Sequence, residues 1–251
     1  MQPILVTENL SKHFGGLAAV SQVSLEVMPR GVHAIIGPNG AGKSTMVNLL
    51  GGHLRPSQGR IRFNGRDITR LGAHRVARLG IGRSFQQTNV FAGFTCLENC
   101  WVAAQARQGS SLRFFRPARR LWRVRDRAEE ALALCGLEHH AETVAGDMSH
   151  GEQRQLEIAM VMAAQPRFLL LDEPMAGMGQ EESQRVVALL GRLAERFPLV
   201  LVEHDMDAVF SIAGELTVMV NGRVLASGPL ERVRDDPAVQ EAYLGDGVEA
   251  C

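Results

Sequence analysis

Gly37-Pro38-Asn39-Gly40-Ala41-Gly42-Lys43-Ser44-Thr45 fits the pattern G-x-x-x-x-G-K-[ST], a glycine-rich loop whose backbone N–H groups cradle phosphate. Before it runs Val32-His33-Ala34-Ile35-Ile36, apolar and branched, and after it Met46-Val47-Asn48-Leu49-Leu50. The first predicts a buried strand and the second a helix, whose free N–H groups then face the anion. Gly37, Gly40 and Gly42 let the backbone wrap a phosphate without Cβ clashes. Lys43 is one of only two lysines, Lys12 being the other, so a chance cation here is a poor explanation. Ser44 offers the hydroxyl that phosphate-bound Mg²⁺ takes as a ligand. The bland alternative is a glycine-rich turn before a helix, and the full match argues against it. The chain is expected to bind a nucleoside triphosphate.

The 251 residues suffice for one α/β domain, or a domain with a subdomain. Lys plus Arg balance Asp plus Glu at 27 each, which implies no general attraction to nucleic acid. No apolar run is long enough to span a bilayer, and the N-terminus lacks a signal-peptide pattern. Cys96, Cys100, Cys135 and Cys251 form neither a C-x-x-C pair nor metal-ligand spacing and read as reduced thiols. His139-His140 reads as a solvated pair at a helix end.

Outward from the loop, Ile4-Leu5-Val6 and Val23-Ser24-Leu25-Glu26-Val27 read as strands, and Arg60–Phe63 as another ending in an Asn64-Gly65 turn. Strand–helix alternation follows, so the expectation is a mixed sheet with an antiparallel front. Residues 87–165 are richer in helix formers and read as an inserted helical subdomain, leaving 1–86 and 166–251 as the nucleotide-binding core. Within the insert, residues 107–127 hold eight arginines against one acid, Asp126, with Phe114, Phe115 and Trp122 interleaved. A solvated basic helix face, a lipid-headgroup surface and a nucleic-acid surface all fit that composition. Leu216–Val220 and Arg223–Ala226, joined by Asn221-Gly222, predict a hairpin near the end.

Phe168-Leu169-Leu170-Leu171-Asp172-Glu173-Pro174 is a buried strand ending in two acids; a helix over 180–196 and the strand Leu199–Glu203, ending at His204, follow. Such strand ends line the edge where ligands sit in parallel sheets. Asp172 is placed to hold the Mg²⁺ shell, and Glu173 to polarise an attacking water. His204 is within reach of a γ-phosphate, and Gln86 of the metal or the water. Ser149-His150-Gly151-Glu152-Gln153 opens a helix with Ser149 as N-cap, a second anion-binding helix end. Two such ends beside one phosphate loop imply a site shared between two subunits.

In this order the motifs resemble the nucleotide-binding subunits of ABC transporters: P-loop at 37–45, Q-loop at Gln86, signature at 148–152, Walker B at 168–173 and H-loop at His204. Phe14 matches the aromatic position that stacks on adenine. The resemblance is narrower still to the ATP-binding subunit of branched-chain amino acid importers, with amide and urea importers sharing the features. It is carried by Ser11–Val20, Arg83-Ser84-Phe85-Gln86 with Asn89-Val90-Phe91, Leu156-Glu157-Ile158-Ala159, Val202–Met206, Asp236-Pro237-Ala238-Val239 and Ala242-Tyr243-Leu244-Gly245.

The resemblance implies an α/β fold of ABC ATPase type, with an antiparallel β subdomain and an inserted helical subdomain. ATP and Mg²⁺ would bind at Phe14, Gly37, Pro38, Asn39, Gly40, Ala41, Gly42, Lys43, Ser44 and Thr45, with Gln86 and Asp172 toward the metal. Ser149 and Gly151 would serve a partner's nucleotide. Expected partners are a second ATP-binding subunit, identical or paralogous, two membrane permeases and, indirectly, an extracytoplasmic solute-binding protein. The expected place is the cytoplasmic face of a bacterial inner membrane. An envelope-lipid exporter ATPase and a soluble ABC ATPase acting on nucleic acid or ribosomes are the alternatives. The general signature Leu-Ser-Gly-Gly-Gln stands here as Met148-Ser149-His150-Gly151-Glu152, and Gly179 occupies a position usually held by Asp. Phe91 and Phe94 are candidates either for docking a membrane subunit or for the core.

Overall fold

The computed structural model describes residues 2–85, 88–106 and 119–244, without the side chains of 119–121 and 242–244. Gln86, the segment 107–118 with Arg107, Arg113, Arg116, Phe114 and Phe115, and Cys251 lie outside the described residues.

Strands β1 (Leu5–Phe14) and β2 (Leu17–Val27) form a hairpin, and β3 (Val32–Ile36) leads through the glycine-rich loop into α1 (Lys43–Leu50). Next come β4 (Gln58–Phe63), β5 (Arg66–Asp67), α2 (Ala73–Leu79) and β6 (Ile81–Arg83). The helices α3 (Cys96–Ala106), α4 (Arg119–Leu134) and α5 (His150–Ala163) fill the middle of the chain. Strand β7 (Phe168–Asp172), α6 (Gln180–Ala194), β8 (Leu199–Val202) and α7 (Met206–Ile212) restore alternation. The hairpin β9 (Glu215–Val220) and β10 (Arg223–Pro229), then α8 (Leu230–Arg234) and α9 (Pro237–Leu244), complete it.

The antiparallel front forms its own four-stranded sheet, ordered β2-β1-β4-β5. The second sheet is ordered β10-β9-β3-β8-β7-β6, parallel from β9 through β6, with β10 antiparallel at one edge. β1 and β2 run well past the predicted runs. Asn9 (φ 46°) and Gln22 (φ 54°) sit in left-handed conformations, and register shifts along β1 break its alternation.

The parallel strands read as unbroken apolar runs because both faces are covered. Ile35, Phe168, Leu170, Val200 and Val202 pack toward α1 and the antiparallel sheet. Ala34, Ile36, Leu169, Leu171, Leu199 and Leu201 pack toward the helices from α3 to α7. β3 therefore sits mid-sheet between β9 and β8, and holds the loop that follows it between two cores.

Candidate functional site

The glycine-rich loop is braced from two sides. A Cβ on Gly37 (φ 154°) would fall 2.1 Å from the Met219 carbonyl oxygen at the end of β9. One on Gly42 (φ 96°) would fall 2.2 Å from the Ala19 carbonyl oxygen in β2. The Asn221-Gly222 turn closes the frame: the Gly222 N–H donates to Ala41 at 3.0 Å, and the Ser21 N–H donates to Gly222 at 2.7 Å. Gly40 (φ 80°) faces open space instead. Inside this frame the Lys43 ammonium donates to the carbonyls of Gly37 at 2.5 Å and Pro38 at 3.1 Å. Burial lowers its pKa, while the charges of Glu173 and Asp172 raise it, so both carboxylates lie within electrostatic range of the ammonium. Ser44 is exposed beside it.

Asp172 ends β7 and is buried, and burial pushes its carboxyl pKa up while Arg83 pulls it back. Arg83 Nη2 lies 3.4 Å from Asp172 Oδ2, and its Nη1 donates to Asn48 Oδ1 at 2.9 Å. Asn48 in turn donates to the Ser44 carbonyl at 2.7 Å. Asp172 Oδ1 is buried with no hydrogen-bond partner among the described residues. A buried carboxylate oxygen is costly without a donor or a cation. The donors at hand, this carboxylate and the Ser44 hydroxyl, are oxygens, the ligand type Mg²⁺ takes when phosphates complete its shell. No cluster of three or more His, Cys, Asp or Glu side chains suited to a metal occurs among the described residues. The residues therefore fit a cation carried on a nucleotide.

Glu173 follows in a left-handed conformation, φ 47°, its N–H bonded to the Val202 carbonyl at 2.9 Å. His204 lies just past β8 with an exposed ring, Nδ1 3.8 Å from Glu203 Oε2. Glu203 itself is fully buried. It accepts from the N–H of Met175 at 3.0 Å and of His204 at 3.1 Å, tying the ends of β7 and β8 together.

Ser149 caps α5 in a reciprocal capping box: its hydroxyl accepts the Glu152 N–H, and Glu152 accepts the Ser149 N–H at 2.8 Å. This accounts for an acid at that signature position, since the carboxylate serves the cap. Gly151 is buried against α6, where its N–H donates to Glu182 Oε1 at 3.3 Å. Gly179 is the N-cap of α6, without a side-chain cap, and a Cβ there would meet nothing.

Phe14 ends β1 and is 47% exposed, with the Lys12 ammonium 5.1 Å from its ring centroid. Phe91 and Phe94 are 49% and 43% exposed and stack at 5.4 Å, so both belong to the surface. The buried Asn99 of α3 fixes their turn: it accepts the Phe91 N–H at 2.8 Å and donates to the carbonyls of Phe91 and Phe94. His139 and His140 lie on a short 3₁₀ turn, neither of them buried.

The ABC transporter family profile matches residues 20–176, across the cradle, the signature helix and the Asp172 strand. The chain belongs to the ABC transporter family. This cassette also matches, over residues 223–249, a profile for branched-chain amino acid ATP-binding cassette transporters. It is 40% identical to the high-affinity branched-chain amino acid transport ATP-binding protein BraF of Pseudomonas aeruginosa, over 98% of this chain and 99% of that one. It is 37% identical, with the same coverage, to the protein LivG of Escherichia coli, described in the same words. Among solved structures, an ABC transporter cassette in its ADP conformation superposes with a TM-score of 0.85. That cassette is 31% identical, with 98% of this chain and all of the other covered. The resemblance carried by the motif order is borne out.

Arg83, Arg154, Glu157 and Glu203, which the structure places around these groups, are given no site role by the sequence reading. The available signal was charge at positions that helix and strand periodicity assigns to the interior, as with Glu203 closing an apolar strand.

Proposed function

We propose that this cassette hydrolyses ATP as the motor subunit of an importer for branched-chain amino acids or related small polar solutes. The observation that carries the catalytic part is Lys43, held in a braced loop within electrostatic range of Asp172 and Glu173. The solute class rests on the likeness of residues 223–249 and on the full-length relatives.

In this reading the loop N–H groups and Lys43 bind the β- and γ-phosphates, and Phe14 stacks on the base. Mg²⁺ supplies charge neutralisation on the phosphates, with Ser44, Asp172 and Gln86 as its protein-side contacts. Glu173 orients and polarises the attacking water, and His204 donates to the γ-phosphate. Ser149 and the Gly151 N–H complete the site of a second ATP-binding subunit, identical or paralogous, once Glu182 yields its contact. Among the described residues no helix is long and apolar enough to cross a membrane. Transport therefore calls for two permease subunits, with the cassette peripheral at the cytoplasmic face and a solute-binding protein outside. The Phe91–Phe94 stack, just after Gln86, is the surface proposed to meet a permease helix.

The test combines three measurements. Lys43→Ala removes two charge-assisted contacts and lowers ATP affinity about 100-fold or more by calorimetry. Glu173→Gln binds ATP, stalls, and elutes as a dimer. In cells lacking the gene, uptake of labelled leucine, isoleucine and valine falls and returns with the wild-type chain but not with Glu173→Gln. Unchanged uptake would refute the solute class, and full activity from a monomer the shared site.

A further inference from the structure

Arg154 and Glu157, on α5, are 2% and 4% exposed, and their side chains are in direct contact. Their remaining capacity goes to backbone. Glu157 Oε1 accepts the Phe85 N–H at 3.1 Å, and Arg154 Nη1 donates to the Phe85 carbonyl. Strand β6 pairs with β7 as far as Arg83, and the Ser84 N–H still reaches the Leu170 carbonyl at 3.1 Å. One residue on, the two side chains replace the missing strand neighbour. Gln86 comes directly after.

The other side of the guanidinium faces the end of β7. Nη2 donates to the carbonyls of Asp172 at 3.1 Å and Glu173 at 3.2 Å, and Nε to that of Pro174 at 3.0 Å. Three consecutive carbonyls converge on one side chain. The middle one belongs to Glu173, whose left-handed backbone is strained for a residue with a Cβ. Such a conformation persists only where its surroundings over-determine it. Val202 takes the N–H of Glu173 and Arg154 its carbonyl, so the turn is held from both ends. Removing two charges from water is unfavourable, and an apolar pair fills the same space as well or better. An apolar pair cannot hold four carbonyls.

We propose that Arg154, oriented by Glu157, is a positioning residue for hydrolysis. It fixes the Glu173 turn and the Phe85 backbone to the helix that begins at Ser149. Seating Ser149 and Gly151 on the partner's nucleotide then sets Glu173 in the subunit's own site. Gly179, with no side chain, offers no such link from the loop after β7. The inference rests on the ATPase reading above and adds a route between its two sites.

The experiment uses the purified full chain with Arg154→Lys and, separately, the double change Arg154→Met with Glu157→Met. Lysine keeps the charge beside Glu157 but not the fork that spans the carbonyls. Each folded variant should keep ATP affinity within about twofold while kcat falls about 10- to 100-fold, the loss expected for a misplaced catalytic group. The apolar double variant leaves the four carbonyls without the guanidinium and should melt below wild type while still folding. The proposal is overturned by kcat within about twofold of wild type in either folded variant, or by affinity falling in step with kcat. It is equally overturned if neither variant folds, since the pair is then a core support only. A wild-type chain that turns over no ATP, alone or with its partners, would instead strike the ATPase reading.

Discussion

Arg83 and Asp172 meet through one oxygen only: Nη2 lies 3.4 Å from Oδ2, and Oδ1 is buried with no partner among the described residues. Burial and the Glu173 charge hold the Asp172 pKa above its ordinary value, and Arg83 counters them. Binding a cation requires the ionised carboxylate. Arg83→Met removes the counterweight, so the pKa rises further and the acidic limb of ATPase activity moves to higher pH. A pH–rate profile at fixed Mg²⁺ checks this, and a limb that stays in place refutes the role given to Arg83.

The glycines of the loop are unequal. A methyl on Gly42 meets a backbone carbonyl at 2.2 Å with a left-handed φ, and neither neighbour yields cheaply. Gly42→Ala is expected to lower stability by about 3 kcal/mol or more. Gly40 has the same handedness but open space, so Gly40→Ala costs about 1 kcal/mol. Denaturant unfolding of the two variants separates them, and equal losses would contradict the bracing described here.

Phe91→Ala and Phe94→Ala remove exposed rings, so each should change the cassette's own stability by less than about 1 kcal/mol. Loss of an aromatic anchor from a permease pocket is worth about 2 kcal/mol or more of binding. Both variants should hydrolyse ATP in isolation and fail to drive transport in reconstituted vesicles. Normal transport by both places the dock elsewhere.

His33 lies in the middle of the parallel sheet, its Nε2 2.7 Å from Thr217 Oγ1, and burial pushes its pKa down to about 4. The unfolded chain takes up this proton near pH 6.5 and the folded chain only near 4. Stability from His33 is therefore complete above pH 6.5 and drains as pH falls toward 4, by about 3 kcal/mol in all. His33→Gln lacks the titrating group, and its stability should fall less than wild type over the same interval. Parallel curves in chemical denaturation would refute the assignment.

The phosphate loop, the strand ending at Asp172 and Glu173, and the Ser149 cap were legible because each obeys a local rule of spacing or capping. What was not legible depends on distant contacts. Arg154 falls in the helix that Ser149 caps, yet its partners lie 69 residues before it, at Phe85, and 18 after it, at Asp172. Phe91 and Phe94 suited core and surface equally until Asn99 was seen to hold their turn outward. The full lengths of β1 and β2 were hidden because Asn9 and Gln22 interrupt the alternation by which strands are read.

The Gly222–Ala41 hydrogen bond has a consequence for the chain as it emerges from the ribosome. Strand β3 takes its sheet neighbours, β8 and β9, only from residues beyond 198, and the loop gains its last brace at Gly222. A nascent chain that has exposed the whole 37–45 stretch still has β3 unpaired in its sheet and the loop without its second brace. Contacts this far apart in sequence form late. Full nucleotide affinity should therefore require the chain through Gly222, and chains truncated before it should bind ATP more weakly.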